Sequence, residues 1–353
     1  MGRHDFSLPI VAALILAVGL ATLRSAAPSD EFTRQLIFLC AGLMACGLLV
    51  WVGKRRIVMV VPYLYVASIA LLLVTRVMGT VVNGARSWLY IGPLPGFQPS
   101  ELAKLALILA LASVLADRPI RRIPDYLRLG ALVLPPVGIV FLEPDLGSAL
   151  VLAAIGAGVA LVRGVPIRQL ALILTLVAVA VPTVLLPNLE AHQVDRLVSF
   201  LDPAADPKGS GYQVIQSTIA VGSGGLLGKG YMQGTQSQLG FIPYRQTDFI
   251  FPVLAEEGGF VASVLLLVLY GLLFWRLIAM AGECHSERDQ LIIVGVVVLL
   301  SFQVLVNIGV TLGLAPVTGI TLPMVSYGGT SLVSTLLALG LAFTVHRDRY
   351  AQW

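Results

Sequence analysis

The sequence predicts an all-α polytopic membrane protein of about ten transmembrane helices, with one large extracytoplasmic loop between the seventh and eighth. Three observations predict it. Of 353 residues, 57% are hydrophobic and 12% charged, with a mean hydropathy of +0.90; a soluble domain carries roughly 25% charged residues. Apolar runs near the ~20 residues needed to cross a hydrocarbon core recur along the whole length. Those runs are continuous rather than alternating, which excludes a closed β-barrel.

In chain order the runs cover about 6–23, 35–52, 57–75, 102–116, 129–142, 147–162, 169–186, 252–275, 291–312 and 331–345. The first is longer than a secretory h-region and is followed by Arg24 and nine more spans, so it reads as a retained anchor. The fifth and sixth are short, with Glu143-Pro144-Asp145 between them, and a broken pair is open. The chain reads as one integral membrane domain, 1–353, with the loop 188–250 inside it. Cys40, Cys46 and Cys284 give no disulfide framework.

Lys and Arg in short loops set the orientation. Lys54-Arg55-Arg56 in one tight turn is the clearest cytoplasmic signal, and Arg118, Arg121, Arg122, Arg128, Arg163, Arg168, Arg276, Arg288, Arg347 and Arg349 agree with it. Both termini are therefore expected in the cytoplasm and the loop 188–250 outside. The net charge of +4 reflects this anchoring, and no nucleic-acid signature accompanies it.

The span middles are nearly free of ionisable residues, which argues against a proton-coupled pump with a midplane site. Gln303 and Asn307 read as interhelical hydrogen-bond groups. The outer margin differs. Glu101 and Lys104 open the fourth span, Asp145 the sixth, and Asp248 with Glu256 and Glu257 the eighth. Glu101 and Asp145 suit a helix N-terminus, but Lys104 opposes the macrodipole there. Three residues from Glu101 it shares a face, where it could pair with that acid or meet a phosphate. The loop adds Arg196, Lys208, Lys229 and Arg245.

After Asn307 come Gly309, Gly313, Pro316, Gly319 and Pro323, then Ser326-Tyr327-Gly328-Gly329-Thr330-Ser331. Breakers at that density predict irregular backbone at the outer bilayer level, packed in protein or lining a wet cavity. The Gly328-Gly329 amides could form an anion site; capping by Ser326 or Thr330 is the plainer alternative. Ser223–Gly230 imitates a nucleotide phosphate loop but lacks its first glycine, its closing Ser or Thr and a preceding strand. Lys229 among those glycines remains a candidate for a non-nucleotide phosphate. The four histidines make no zinc spacing, so a metal would be a hard cation on carboxylates and phosphate.

One set of ordered motifs runs nearly end to end: Asn83-Gly-Ala-Arg-Ser-Trp88, Gln98-Pro-Ser-Glu101-Leu-Ala-Lys104, Glu143-Pro-Asp145-Leu-Gly-Ser148, Arg196…Phe200-Leu-Asp-Pro203, Gly211-Tyr-Gln213…Gln216-Ser217, Gly222–Gly230, Thr247-Asp248-Phe-Ile-Phe251…Glu256-Glu-Gly258, and Asn307…Ser331. This pattern resembles the SEDS family (shape, elongation, division and sporulation), its rod-shape branch more than its division branch. Three departures are small: Ser87 where a second basic residue is frequent, Glu143 where Gln is common, and Thr330 where Ser is usual.

The resemblance implies a peptidoglycan glycosyltransferase that polymerises lipid II, an undecaprenyl-pyrophosphate disaccharide pentapeptide, into a growing glycan strand. It implies work at the outer face of the bacterial cytoplasmic (inner) membrane during cell elongation, beside a class B penicillin-binding protein that crosslinks the strands. Asp248 becomes the essential acid, with Trp88, Glu101, Lys104 and Asp145 as outer-face site residues. Turning an α-linked donor into a β-linked chain requires inversion, hence one in-line attack by a sugar hydroxyl, and Asp248 is the candidate base. A departing pyrophosphate needs positive charge and amide donors. Lys104, Arg196, Lys229, Arg245 and Arg86 are candidates, supplemented by Ser326, Gly328 and Gly329 or by a divalent cation such as Mg or Mn. Trp88 either stacks on a sugar or anchors at the interface. A lipid II flippase and a non-enzymatic scaffold for the transpeptidase are the alternatives.

Overall fold

A computed structural model of the chain describes residues 6–349 apart from 83, 91–95, 118, 170, 172–174, 176–199 and 201–208. Its helices are α1 Ser7–Ala26, α2 Ser29–Val52, α3 Lys54–Met78, α4 Pro99–Leu115, α5 Ile123–Leu142, α6 Leu146–Val162, α7 Ser210–Ser223, α8 Thr235–Gln238, α9 Ile250–Glu283, α10 Glu287–Thr311 and α11 Gly329–Arg347. A small antiparallel ribbon, β1 Thr80–Val82 with β2 Ala85–Trp88, follows α3. Seven helices (α1, α2, α3, α5, α9, α10 and α11) are long and apolar enough to cross a membrane, and α6 is a shorter apolar helix. Nine of the ten expected spans fall on described helices. The seventh, 169–186, lies almost wholly outside the described residues.

Several helices outrun their hydropathy. Helix α2 begins at Ser29 because Asp30 and Glu31 suit a first turn, where the free amides and the dipole favour acids. The fifth and sixth runs are two helices rather than one broken span. Asp125 accepts the Arg121 and Arg122 N–H groups at 3.3 and 3.1 Å, starting α5 early enough to make it 20 residues long.

The chain forms two compact units, each discontinuous in sequence. The first comprises 1–45, 195–277 and 300–336. Its core gathers Val214, Ala220, Ile242, Phe249, Val310 and Val317. Close backbone approach organises the rest. A Cβ on Gly19 of α1 would stand 2.5 Å from the Met324 carbonyl, and one on Gly329 would stand 2.4 Å from the Phe38 ring. Helix α9 is interrupted at Gly259, whose φ of +68° no ordinary helical residue adopts.

The second unit comprises 46–194, 278–299 and 337–353. Helix α4 lies at its centre, buried along nearly its whole length, which is why its apolar residues show no preferred face. Small residues set the neighbouring distances: Gly156 against Val133, Gly158 against Val298, and Gly295 against Ile108. At one end of this unit lie the start of α3 and the end of α11. At the other lie the end of α3, the ribbon, the starts of α4 and α6, and the end of α5.

Candidate active site

In the first unit, Asp248 is half-buried two residues before α9 begins. Three consecutive carbonyls hold its segment in place. The Tyr327 N–H donates to the Gln246 carbonyl at 2.8 Å, Ser326 Oγ to Thr247 at 2.6 Å, and Asn307 Nδ2 to Asp248 itself at 3.0 Å. Asn307 Nδ2 also donates to the Ile320 carbonyl at 2.7 Å. Phe249 and Ile250, both fully buried, anchor the following turn. The backbone of the candidate base is therefore fixed from behind by α10 and by the irregular 312–328 segment. Asn307, expected to hydrogen-bond between helices, instead donates to two non-helical carbonyls.

The Ser326–Gly329 block serves this architecture. Ser326 Oγ accepts the Leu322 N–H at 2.8 Å, so it closes a turn rather than capping α11. Gln35 grips the same stretch: its Nε2 donates to the Ser326 carbonyl at 3.1 Å and its Oε1 accepts the Gly328 N–H at 3.2 Å. The Gly328 amide, expected as an anion donor, is thus given to Gln35, and Gly329 provides room for Phe38. Gln35 carried no sequence signal, because a polar residue in a span's first turns reads as an interface residue.

Arg245 Nε donates to the Ala26 carbonyl at 2.8 Å, while its Nη1 is buried without a hydrogen-bond partner. Lys229 is engaged within the protein: Nζ pairs with Glu256 Oε1 at 2.8 Å and bonds Thr235 Oγ1 at 2.7 Å. The fully buried Glu256 carboxylate also accepts the Gln236 and Ser237 N–H groups and the Ser237 hydroxyl, all at 2.8–2.9 Å. It fastens the 229–238 loop to α9. Glu257 accepts Ser25 Oγ at 2.5 Å and Gln238 Nε2 at 3.0 Å, adding α1 to the same joint. Arg196 and Lys208 lie outside the described residues.

The glycine run 222–230 docks on the interrupted part of α9. A Cβ would stand 2.0 Å from the Ala255 carbonyl at Gly224 and 2.1 Å from the Glu257 carbonyl at Gly228. Across this contact the Lys229 and Gly230 N–H groups reach the Glu256 and Glu257 carbonyls, both at 3.0 Å. The resemblance to a phosphate loop is therefore a packing motif. Of Gly258, Gly259 and Gly271 on α9, only Gly271 has nothing within 4 Å of where a Cβ would stand.

In the second unit two motifs interlock. Asp145 caps α6, with Oδ1 accepting the Ser148 N–H at 3.0 Å and Oδ2 accepting Gln98 Nε2 at 3.0 Å. Ser100 and Ser148 hydroxyls meet at 3.4 Å. Lys104 Nζ pairs with Glu101 Oε1 at 2.8 Å, with side chains 3% and 6% exposed. Taking one charge from such a buried pair costs roughly 3–5 kcal/mol, because its partner is stranded. Trp88 ends β2 half-buried, its ring against Gly96, where a Cβ would stand 3.0 Å away. Arg86 is exposed and its N–H donates to the Glu143 carbonyl at 3.1 Å. Glu143 is buried, with Oε1 lacking a partner; burial and nearby Asp145 push its carboxyl up to about 8, against the pull of Arg76. Among the described residues no three His, Cys, Asp or Glu side chains form a metal-holding group.

The protein family model described as Cell cycle protein, for FtsW, RodA and SpoVE, matches residues 6–351. The chain belongs to the SEDS family. As a SEDS protein it is 39% identical over 316 residues to the peptidoglycan glycosyltransferase MrdB of Escherichia coli K12, covering 87% of this chain and 85% of that one. It is 36% identical over 370 residues to stage V sporulation protein E of Bacillus subtilis 168, covering 98% of both. Among solved structures, the rod shape determining protein RodA of Thermus thermophilus superposes with a TM-score of 0.78 at 42% identity, over 99% of each chain. A chain of a peptidoglycan synthase complex that coordinates polymerization and crosslinking superposes with a TM-score of 0.87 at 48% identity, over 100% of each. The expected architecture, a multi-pass α-helical membrane protein of the SEDS family, is the one found.

Proposed function

We propose that this chain is a peptidoglycan glycosyltransferase of cell elongation that polymerises lipid II by inverting transfer, with Asp248 as the base and undecaprenyl pyrophosphate as the leaving group. The observation that carries the catalytic assignment is the clamp of three successive carbonyls, from Gln246 to Asp248, at the polar margin of a span. Preorganisation of that kind is what in-line attack by a sugar hydroxyl needs, since an ångström of misplacement costs about a hundredfold in rate. The partly unsatisfied Arg245 guanidinium supplies positive charge in the same unit for the pyrophosphate. Trp88, Lys104 and Asp145 are assigned to substrate on the resemblance, with Lys104 acting from within its pair with Glu101. A divalent cation, if the reaction uses one, would draw most of its ligands from pyrophosphate oxygens. We place the protein in the bacterial inner membrane with both termini cytoplasmic, working beside a class B penicillin-binding protein.

The test is purified protein reconstituted with labelled lipid II, wild type against Asp248→Asn, scored for glycan ladders and for flipping, with melting curves to show both folded. Ladders from wild type alone are expected, with a loss of at least a hundredfold in the variant. Equal ladders from both would remove Asp248 from catalysis. Flipping without polymer from wild type would favour transport, and neither activity would favour a scaffold.

A further inference from the structure

At the end of the second unit remote from Trp88 and Asp145, a cavity of about 810 Å³ is lined by residues that include Trp51, Lys54, Arg55, Arg56, Met59 and Asp348. Its charges do not balance. Lys54 Nζ pairs with Asp289 at 2.9 Å, and Asp348 takes two bonds from the Arg347 guanidinium, at 2.8 and 3.1 Å, as well as the Lys54 N–H at 3.2 Å. Two acids are thus matched by two cations, and the exposed guanidinium groups of Arg55 and Arg56 stand in excess. Anchoring by positive loops explains why cations occur at this end, but it asks only for charges in water. Here they share a cavity with Trp51, 74% exposed on the last turn of α2, and Met59, 60% exposed on the second turn of α3.

We propose that this cavity binds the headgroup of an anionic phospholipid, with Arg55 and Arg56 on the phosphate and Trp51 and Met59 against the glycerol and upper acyl chains. Guanidinium groups present planar, paired donors that fit phosphate oxygens. Indole and thioether groups suit the boundary where polar headgroup gives way to hydrocarbon. A free phosphate shares the headgroup chemistry but would leave that apolar rim uncovered, so the lipid is the occupant. The orientation given above makes the inner leaflet its source. The binding itself does not depend on that orientation or on glycosyl transfer.

The experiment is native mass spectrometry of the purified full-length protein, titrated in detergent with phosphatidylglycerol, phosphatidylcholine or inorganic phosphate. A single phosphatidylglycerol adduct is expected at concentrations where phosphatidylcholine gives none. Arg55→Gln with Arg56→Gln is expected to weaken it roughly tenfold or more. Arg121→Gln with Arg168→Gln, two exposed cations elsewhere in the unit, leaves it unchanged. Melting curves of both double variants establish that each is folded. Retention unaffected by the Arg55 and Arg56 changes, or weakened equally by the control pair, would overturn the proposal. Displacement by inorganic phosphate at concentrations comparable with the lipid would replace it with a free-anion site.

Discussion

In the proposed reaction Asn307 acts through the backbone of Asp248, which it holds from behind. Its amide ties the Asp248 carbonyl to the Ile320 carbonyl, and its Oδ1 is buried without a partner, so it is a positioning residue. Asn307→Ala should lower kcat roughly tenfold or more with KM nearly unchanged, because the acid is displaced while the substrate contacts persist. A parallel fall in kcat and folded fraction, with normal turnover per folded molecule, would reduce Asn307 to a brace. Glu143 makes a second prediction. Its carboxyl is pushed from 4.5 to about 8, so between those values the folded protein holds a proton that the unfolded chain has lost. Stability therefore falls as pH rises through that window and levels off above it. Glu143→Gln should flatten the fall in Tm between pH 5 and 8 and raise Tm at pH 8. Parallel slopes for the two proteins would disprove the assignment. The site acids were visible in sequence because charge is rare in this chain. Gln35 and Asn307 were visible only as polar letters, since their partners are main-chain carbonyls and amides remote in sequence.

Among the elements, α9 departs furthest from a simple span. Its break at Gly259 lets the 225–228 turn bond the helix backbone, Phe260 N–H to Gly225 at 2.9 Å and Val261 N–H to Leu226 at 3.2 Å. Gly259→Ala must strain φ and drive a methyl to 2.3 Å from the Gly228 nitrogen. A loss of about 2–4 kcal/mol is expected, read as a lowered Tm. Gly271→Ala on the same helix, with nothing within 4 Å, should be neutral or slightly stabilising. Equal effects would mean the break is incidental. Helix existence was legible throughout the described spans, because a run of apolar residues long enough to cross hydrocarbon has few other solutions. The break was not legible. Gly258-Gly259 reads equally well as a contact face, and only the φ and the packed turn decide between the two.

For the whole molecule, nine of the ten runs read from the sequence fall on described helices, whereas the division into two compact units was not legible. Each unit draws on three separated stretches of chain, which local periodicity cannot anticipate. A reporter that is active only outside, inserted at the 230–234 turn, should give signal, whereas the same reporter after Arg349 should give none. The reverse pattern would invert the orientation and place Asp248 on the wrong side for lipid-linked sugars presented from outside.

The three ties on residues 246–248 differ in how a mutation can reach them. Two originate in side chains, Ser326 and Asn307, and either can be deleted by one substitution. The third is the amide of Tyr327, and among ordinary replacements only proline removes it. Any replacement of the Tyr327 side chain other than proline therefore changes the surface there while leaving the main-chain tie to Gln246 in place.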